Sequence, residues 1–184
     1  MDVFERYYCH AVLSLGESHR SYHNNEYGFP AKSDNELFKR LMLEVNQAGL
    51  SWTTILNKKE GLIDAYDSFE IEVVANYTQI DRERLMTDSR VIRNKLKINA
   101  AIHNANRILE IQREFGSFEN WLNVHFPKSK EEWVRLFKKT FKFTGGEITN
   151  EFLISTGYLK GAHHIDCPTY HQVVKVKPKW LTLE

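Results

Sequence analysis

The two cysteines of this chain lie near its opposite ends, and each is accompanied by histidines. His23 follows Cys9 by fourteen residues, and His163 precedes Cys167 by four. Thiolate sulfur and imidazole nitrogen are typical ligands of tetrahedral metal sites, so these four residues predict a metal that joins the two ends of the chain. The spacing lacks paired CxxC motifs, and the alternative is a set of unconnected surface histidines with two inert buried thiols.

A carboxylate and an aromatic side chain form the second group of candidate functional residues. Glu44 points to the same side as the apolar stripe of a helix predicted near residues 36–48. A charge on that side indicates either a structural carboxylate, paired with a buried arginine or capping a neighbouring helix, or a carboxylate that lines a cavity. Trp52 follows soon after and is either core filler or a stacking platform near Glu44.

A basic connection between two predicted helices is the third candidate. Residues 88–95, DSRVIRNK, carry three cations around the aliphatic pair Val91 and Ile92. This composition suits a helix-hairpin-helix, in which free amides at the start of the second helix face a phosphate and the cations add charge. The alternative is a solvated basic connection, because Arg90 occupies the place of the usual turn glycine.

A second basic cluster lies at the end of a later predicted helix. It comprises Lys138, Lys139 and Lys142, beside Phe141 and Phe143. The pattern fits either a solvated helix end or an edge that contacts a nucleic-acid backbone.

Apolar periodicity predicts helices along most of the chain, which indicates an all-α fold. Ser33 and Asp34 cap a helix that Gly49 ends, and a longer helix is expected at 96–115 with Gly116 as its stop. Further helices are predicted at residues 69–76, 81–88, 117–124, 130–140 and 148–156. Only residues 172–176 alternate like a short strand. No repeat or linker composition divides the chain, so we expect a single domain over residues 1–184.

Composition narrows the class of protein. The 184 residues, 42% of them hydrophobic, suffice for one domain with a real core, and a net charge of +1 gives no general attraction to polyanions. No stretch approaches the roughly 18 apolar residues of a membrane span, and the first residues show no signal pattern, so we expect a cytoplasmic protein without membrane contact. In that compartment the cysteines are expected as reduced thiols or metal thiolates.

Several motifs together resemble DNA-3-methyladenine glycosylase I, a family of helix-hairpin-helix DNA glycosylases. They are YHNNEYGFP at residues 22–30, LEVNQAGLSW at 43–52, VIRNKLKI at 91–98, FKFTGG at 141–146 and TGYL at 156–159. The resemblance covers roughly residues 9–167. It implies an all-α DNA repair fold with the helix-hairpin-helix at about 81–113.

The resemblance implies an activity as well. Such an enzyme flips N3-methyladenine out of alkylated duplex DNA and hydrolyses its N-glycosidic bond, which leaves an abasic site without lyase activity. Methylation at N3 makes the base cationic and a good leaving group, so strong acid catalysis is unnecessary. Glu44 matches the family's pocket glutamate, the catalytic candidate that recognises the base, and Tyr22 and Trp52 are expected to stack on the flipped ring.

The resemblance also assigns a metal and a DNA surface. One structural zinc is expected to join the terminal segments 9–23 and 163–167, and His164 is an alternative to its neighbour as a ligand. The implied zinc ligands are Cys9, His23, His163 and Cys167. The residues expected to contact DNA are Val91, Ile92, Arg93, Asn94, Lys95, Thr144 and Gly145. We expect a monomer that binds double-stranded alkylated DNA.

Five residues depart from the family pattern. Ala11 stands where tryptophan is frequent, His19 where tyrosine is common, Val45 and Asn46 replace glycine and glutamine, and Arg90 replaces the hairpin glycine. The alternative function is therefore a non-catalytic protein that binds alkylated DNA and keeps a structural zinc. A zinc hydrolase comes third, because the sequence contains no HExxH motif.

Overall fold

The computed structural model describes residues 8–183, and every regular element in that range is helical. The predicted all-α fold is therefore confirmed. The α-helices of this range are α1 (Tyr8–Ala11), α2 (Glu17–Asn25), α3 (Asp34–Gln47), α4 (Trp52–Ala65), α5 (Ile71–Ala75), α6 (Gln79–Thr87), α7 (Lys95–Phe115), α8 (Phe118–His125), α9 (Lys130–Thr140), α10 (Gly146–Ser155) and α11 (Pro168–Lys175). Short 3-10 helices lie at Asp67–Phe69 and Lys179–Leu183. No helix among these residues has the length and apolarity needed to cross a membrane.

The chain forms two compact units. Unit 1 runs from the described start of the chain to Ala31 and resumes at Asn150, so it combines both ends of the sequence. Unit 2 is continuous from Lys32 to Thr149. The expectation of a single glycosylase domain stays a prediction.

Helix α3 of unit 2 begins and ends as its sequence predicts. The Ser33 hydroxyl accepts the backbone N–H of Glu36 at 3.1 Å, which caps the first turn. The helix ends at Gln47, and Gly49 adopts a φ of 79°, a left-handed conformation that costs glycine little. Glu44 therefore lies in the last turn of a helix with fixed ends.

Helix α7 is the long central helix of unit 2. The Asn94 side chain accepts the N–H of Leu96 at 2.9 Å and of Lys97 at 3.2 Å, so it caps the helix start. Helices α5 and α8 pack against α7. Its buried face includes Ile98, Ala101, Ala105, Ile108 and Ile111. Gly116 ends the helix with a φ of 84°, as predicted.

Helix α4 was missed by the periodicity analysis. Gly61 lies in its interior, where glycine costs about 1 kcal/mol relative to alanine and weakens the helical pattern. The structure gives the reason for this glycine, because a Cβ atom added at Gly61 would lie 2.9 Å from the Cβ of Arg90. The glycine thus allows α4 to pack closely against residues 88–94.

The predicted strand at residues 172–176 is wrong, because most of this segment belongs to helix α11. Pro168 occupies the first turn of α11, where its missing N–H sacrifices no helical hydrogen bond. Thr169 and Val173 are buried one helical turn apart and define the inner face. An alternation of five residues is too short to separate the helical from the strand period.

Candidate functional site

Four potential metal ligands meet in unit 1. Cys9 belongs to α1, His23 to the last turn of α2, His163 to the segment after α10, and Cys167 is the N-cap of α11. All four side chains are buried, and their donor atoms lie within 4.8 Å of one another. The two thiols are free. The structure therefore brings together the residues that the sequence singled out at both ends of the chain.

The distances between the donor atoms suit a tetrahedral ion. Cys9 Sγ lies 3.5 Å from His163 Nδ1, His163 Nδ1 lies 3.2 Å from His23 Nε2, and Cys167 Sγ lies 3.7 Å from His23 Nε2. Zinc bonds of about 2.3 Å to sulfur and 2.0–2.1 Å to nitrogen place tetrahedral donors roughly 3.3–3.8 Å apart. These three distances are close to that range, and the other donor pairs, which lie within 4.8 Å, would need to contract around the ion.

Outer hydrogen bonds fix the ring nitrogen that each histidine turns toward the cluster. His163 Nε2 lies 2.7 Å from the carbonyl oxygen of Tyr27, and His23 Nδ1 lies 2.7 Å from Oδ1 of Asn24. A carbonyl oxygen only accepts, so these outer nitrogens carry the protons and the inner nitrogens offer lone pairs. The Thr169 hydroxyl also donates to Asn24 Oδ1 at 3.3 Å. This arrangement is typical of metal-binding histidines.

The structure distinguishes between the two adjacent histidines that precede Cys167. His163 lies in the cluster, whereas His164 Nδ1 lies 3.2 Å from a carboxylate oxygen of the exposed Asp166. His10, the neighbour of Cys9, is exposed. The geometry therefore selects His163 over His164 as the candidate ligand.

Burial acts on the metal-free ligands in a consistent direction. Loss of hydration raises the pKa of the Cys9 thiol to about 11. Loss of hydration likewise lowers the pKa of His163 to about 4. Both groups therefore favour their neutral forms in the bare cluster, and a divalent cation would supply the charge that stabilises thiolates there.

Glu44 is a deeply buried carboxylate in unit 2. Its side chain is 6% exposed, between the buried Leu43 and Val45. Asn46, which departs from the family pattern, is fully buried, and its Nδ2 donates to the carbonyl of Met42 at 2.7 Å. A charge buried at this depth is retained only with a specific role in structure or binding.

The segment after α3 leads from Glu44 to Trp52. The Ser51 hydroxyl accepts the N–H of Thr54 at 3.2 Å, which caps α4 and places Trp52 at its first position. The Trp52 side chain is half-buried, and Leu50 just before it is exposed. Trp52 is therefore accessible in part, unlike the fully buried Trp133.

Lys97 is a functional candidate that the sequence analysis missed. It lies in the first turn of α7 and is only 4% exposed, which is rare for a lysine. Its Nζ donates to the carbonyl oxygens of Asn46 at 2.8 Å and Ala48 at 2.7 Å. A cation at the C-terminus of α3 satisfies carbonyls that the helix leaves without partners. Lys97 thus ties the start of α7 to the end of the helix that carries Glu44.

The connection at residues 88–94 forms a turn without a glycine. Arg90 is not among the residues of the described chain with a positive φ. Instead, the Asp88 carboxylate accepts the backbone N–H of Arg90 at 2.8 Å and pairs with its guanidinium at 2.7 Å. Hydrogen bonds from Arg90 lower the pKa of Asp88 to about 2. The turn therefore differs from a glycine turn, and the guanidinium of Arg90 also pairs with Asp64.

Within this connection, some side chains are buried and others are exposed, and some backbone amides have no hydrogen-bond acceptor among the described residues. Val91 is buried, whereas Arg93 and Lys95 are exposed. In the part of the chain that the structure describes, the backbone N–H groups of Ile92 and Arg93 have no hydrogen-bond acceptor. Two amides of α7, those of Leu96 and Lys97, already donate to the Asn94 side chain. Open amides beside exposed cations can bind an anion.

Three other residues singled out from the sequence are buried in the structure. The Thr144 hydroxyl donates to the carbonyls of Phe137 and Phe141 at 3.0 and 3.3 Å, so the Thr144 side chain is already engaged. Tyr22 of α2 is buried in unit 1, with its ring centre 5.6 Å from that of Tyr27. His19, another departure from the family pattern, is buried with its Nδ1 2.7 Å from the hydroxyl of Tyr8.

Comparison with known proteins identifies the class of protein. The family model for methyladenine glycosylase matches residues 13–134. The chain belongs to the methyladenine glycosylase family, and the expectation of a DNA glycosylase is confirmed.

The relatives specify the type of glycosylase. DNA-3-methyladenine glycosylase 1 of Escherichia coli (strain K12) is 32% identical over 169 residues, which cover 82% of this chain and 90% of that protein. The DNA-3-methyladenine glycosylase of Haemophilus influenzae is 32% identical over 166 residues, 80% of this chain and 89% of that protein. The resemblance to DNA-3-methyladenine glycosylase I that the motifs carried is thus confirmed.

Solved structures agree with these relatives. The 3-methyladenine DNA glycosylase I from Staphylococcus aureus superimposes with a TM-score of 0.79 at 30% identity, over 91% of this chain and 97% of that chain. A 3-methyladenine DNA glycosylase I solved in complex with 3-methyladenine gives a TM-score of 0.77 at 30% identity, over 86% of this chain and 95% of that chain.

Proposed function

We propose that this protein is a base-excision repair enzyme that flips N3-methyladenine out of alkylated duplex DNA and hydrolyses its N-glycosidic bond. The observation that carries the proposal is the buried carboxylate of Glu44 in the last turn of α3, with the half-buried Trp52 opening the next helix. A relative of the same family was solved with 3-methyladenine bound, which supports this substrate.

The chemistry needs recognition more than acid catalysis. N3-methyladenine is cationic in DNA and leaves as a neutral base, so its bond to the sugar is already weak. A carboxylate removed from water attracts a cationic base more strongly than an exposed one, because the effective dielectric is lower. Glu44 accepts hydrogen bonds from the exocyclic amine, Trp52 stacks on the ring, and water attacks the sugar carbon.

The connection between α6 and α7 grips the DNA backbone as a helix-hairpin-helix. Val91 anchors the turn in the core, and the open amides of Ile92 and Arg93 face a phosphate. The exposed side chains of Arg93 and Lys95 add positive charge. Contacts from Thr144 and Gly145 come from their backbone, since the Thr144 hydroxyl is engaged.

The enzyme acts without lyase activity. A lyase needs an amine nucleophile, and the buried lysine beside the Glu44 helix is Lys97. Burial lowers the pKa of Lys97, but its Nζ is held by hydrogen bonds to two carbonyl oxygens at the C-terminus of α3, so the amine is not free to attack the sugar of a bound nucleotide. Abasic sites are therefore left intact.

The cluster of Cys9, His23, His163 and Cys167 holds one structural zinc. Four protein donors complete a tetrahedral ion and leave no position for water, so the ion supplies cross-linking and charge to unit 1 rather than chemistry. A cytoplasmic monomer remains our expectation.

The experiment that tests the function is chromatography of free bases released from methylated duplex DNA. We expect release of 3-methyladenine and not of 7-methylguanine, and we expect Glu44→Gln to keep its fold and metal while losing release. Glu60→Gln, at an exposed position of α4, is the matched control. If the folded, metal-loaded protein binds methylated DNA without releasing any base, the non-catalytic lesion-binding function replaces this one.

A further inference from the structure

A concave basic surface lies between α7 and α9 of unit 2, away from the turn at residues 88–94 along the helix. Its cavity has a volume of about 420 Å³. The charged residues that line it are Arg107, Glu114, Lys138, Lys139 and Lys142. We call this surface the α7–α9 groove. Four cations against one carboxylate give it a local positive charge that the chain's net charge of +1 conceals.

The lysines of the groove are available to a ligand. Lys138, Lys139 and Lys142 are exposed, and none of them has an ion-pair partner in the part of the chain that the structure describes. Arg107 is partly satisfied, because its Nη1 lies 2.5 Å from a carboxylate oxygen of Glu110. The groove therefore has a surplus of unpaired positive charge that comes from the lysines.

The backbone at Lys142 is fixed by the fold. Its backbone N–H donates to Oδ1 of Asn104 at 2.8 Å, and its carbonyl accepts from Nδ2 of the same residue at 3.1 Å. Asn104 is fully buried in α7. Burial, reinforced by the charge of Lys142, lowers the pKa of the neighbouring His103. The backbone just after α9 is thus tied to α7, which fixes the point from which the exposed Lys142 side chain extends.

The groove continues one face of α7 that begins at the turn. Leu96, His103 and Arg107 are spaced by seven and four residues, so they share a helix face. At 1.5 Å per residue, Arg107 lies roughly 16 Å along α7 from Leu96. Successive phosphates of one DNA strand are separated by several ångströms, so this distance corresponds to a few nucleotides.

We infer that the α7–α9 groove is a second phosphate-binding surface, which holds the DNA backbone a few nucleotides away from the phosphate gripped at residues 92–93. This inference rests on the proposed function, because it extends the same DNA interface. The groove recognises phosphodiester charge without reading sequence, and it lengthens the footprint on the duplex.

The test compares two double variants. Lys138→Gln with Lys142→Gln removes one charge in the last turn of α9 and one shortly after it. Lys175→Gln with Lys177→Gln removes charges at the equivalent places of α11, and both of these lysines are exposed. Glutamine keeps helix propensity close to that of lysine, so both variants should fold.

Binding to undamaged duplex DNA is measured as a function of salt. We expect the groove variant to reduce the slope of log K against log salt by about 0.9 for each lysine, with roughly a tenfold loss of affinity per lost contact at low salt. The control variant should keep the wild-type slope. Equal slopes for wild type and the groove variant would overturn the inference, as would an equal loss in the control variant.

Two further arms separate the alternatives. For wild type, we expect the KM for base release to fall when a short methylated duplex is lengthened. For the groove variant, we expect the KM to stay the same on the longer duplex and kcat to stay close to the wild-type value. Tripolyphosphate tests a free anion as the ligand, and tight binding of tripolyphosphate with an unchanged DNA slope would overturn the DNA assignment. If wild type releases no base, the proposed function fails. The slopes of log K against log salt would still test whether the groove binds phosphate.

Discussion

Replacement of Lys97 by methionine is the most direct test of how the Glu44 helix is held. Lys97→Met keeps an unbranched side chain, one atom shorter than lysine, but removes the two Nζ hydrogen bonds to the carbonyls of Asn46 and Ala48. Hydrogen bonds to a charged group contribute about 1.5–3 kcal/mol each. Methionine recovers part of the cost of burying an ammonium group, which lowers the net loss. We therefore expect the free energy of unfolding to fall by about 3 kcal/mol.

Urea unfolding followed by far-ultraviolet circular dichroism measures this loss. The midpoint should fall with an unchanged m-value, and a chain of this size should melt about 6–12 °C lower. Lys95→Met is the matched control, because Lys95 is exposed two residues earlier in the same helix and its loss should cost less than about 0.5 kcal/mol. A Lys97→Met protein as stable as the Lys95→Met protein would refute the reasoning.

Three other predictions concern unit 1 and the start of α7. Chelation of the metal should lower the melting temperature of wild type but leave that of metal-free Cys167→Ala unchanged, and calorimetry with and without chelator checks this. In the metal-free protein, burial holds the pKa of His163 near 4. The unfolded chain therefore binds the extra proton as the pH falls from about 6.5 to 4, and up to about 3 kcal/mol of stability is lost over that window. Urea titrations at several pH values should show a steeper dependence in the metal-free wild type than in His163→Gln, which keeps the smaller contributions of His19 and His103, whose pKa burial also lowers. Asn94→Ala removes the cap of two α7 amides and should cost about 1 kcal/mol in the same assay.

The helices around the candidate site were predictable where caps and apolar spacing agree. Ser33 and Gly49 bracket α3, and Gly116 stops α7, because capping hydroxyls and left-handed glycines are local features of sequence. The four residues of the candidate metal cluster were also predictable, since cysteine and histidine are rare enough for their spacing to carry information.

The features that escaped prediction depend on contacts distant in sequence. From the sequence alone, Lys97 is indistinguishable from an ordinary surface cation of α7. Only the packing of α7 against the end of α3 buries it. The interior glycine of α4 weakens its pattern, yet Gly61 is required by Arg90. Single-sequence periodicity contains no information about either neighbour.

The division of the candidate metal ligands between the two ends of the sequence also determines when the cluster can form during synthesis. Cys9 and His163 are 154 residues apart, so the ribosome completes all of the continuous unit 2 before the second pair of ligands is made. Unit 2 can fold as soon as it emerges, whereas unit 1 must wait for residues that are translated after unit 2. A chain that terminates before His163 retains only half of the donor set and cannot close the site. Stable binding of a metal ion at this cluster would therefore distinguish chains that extend to Cys167 from shorter ones.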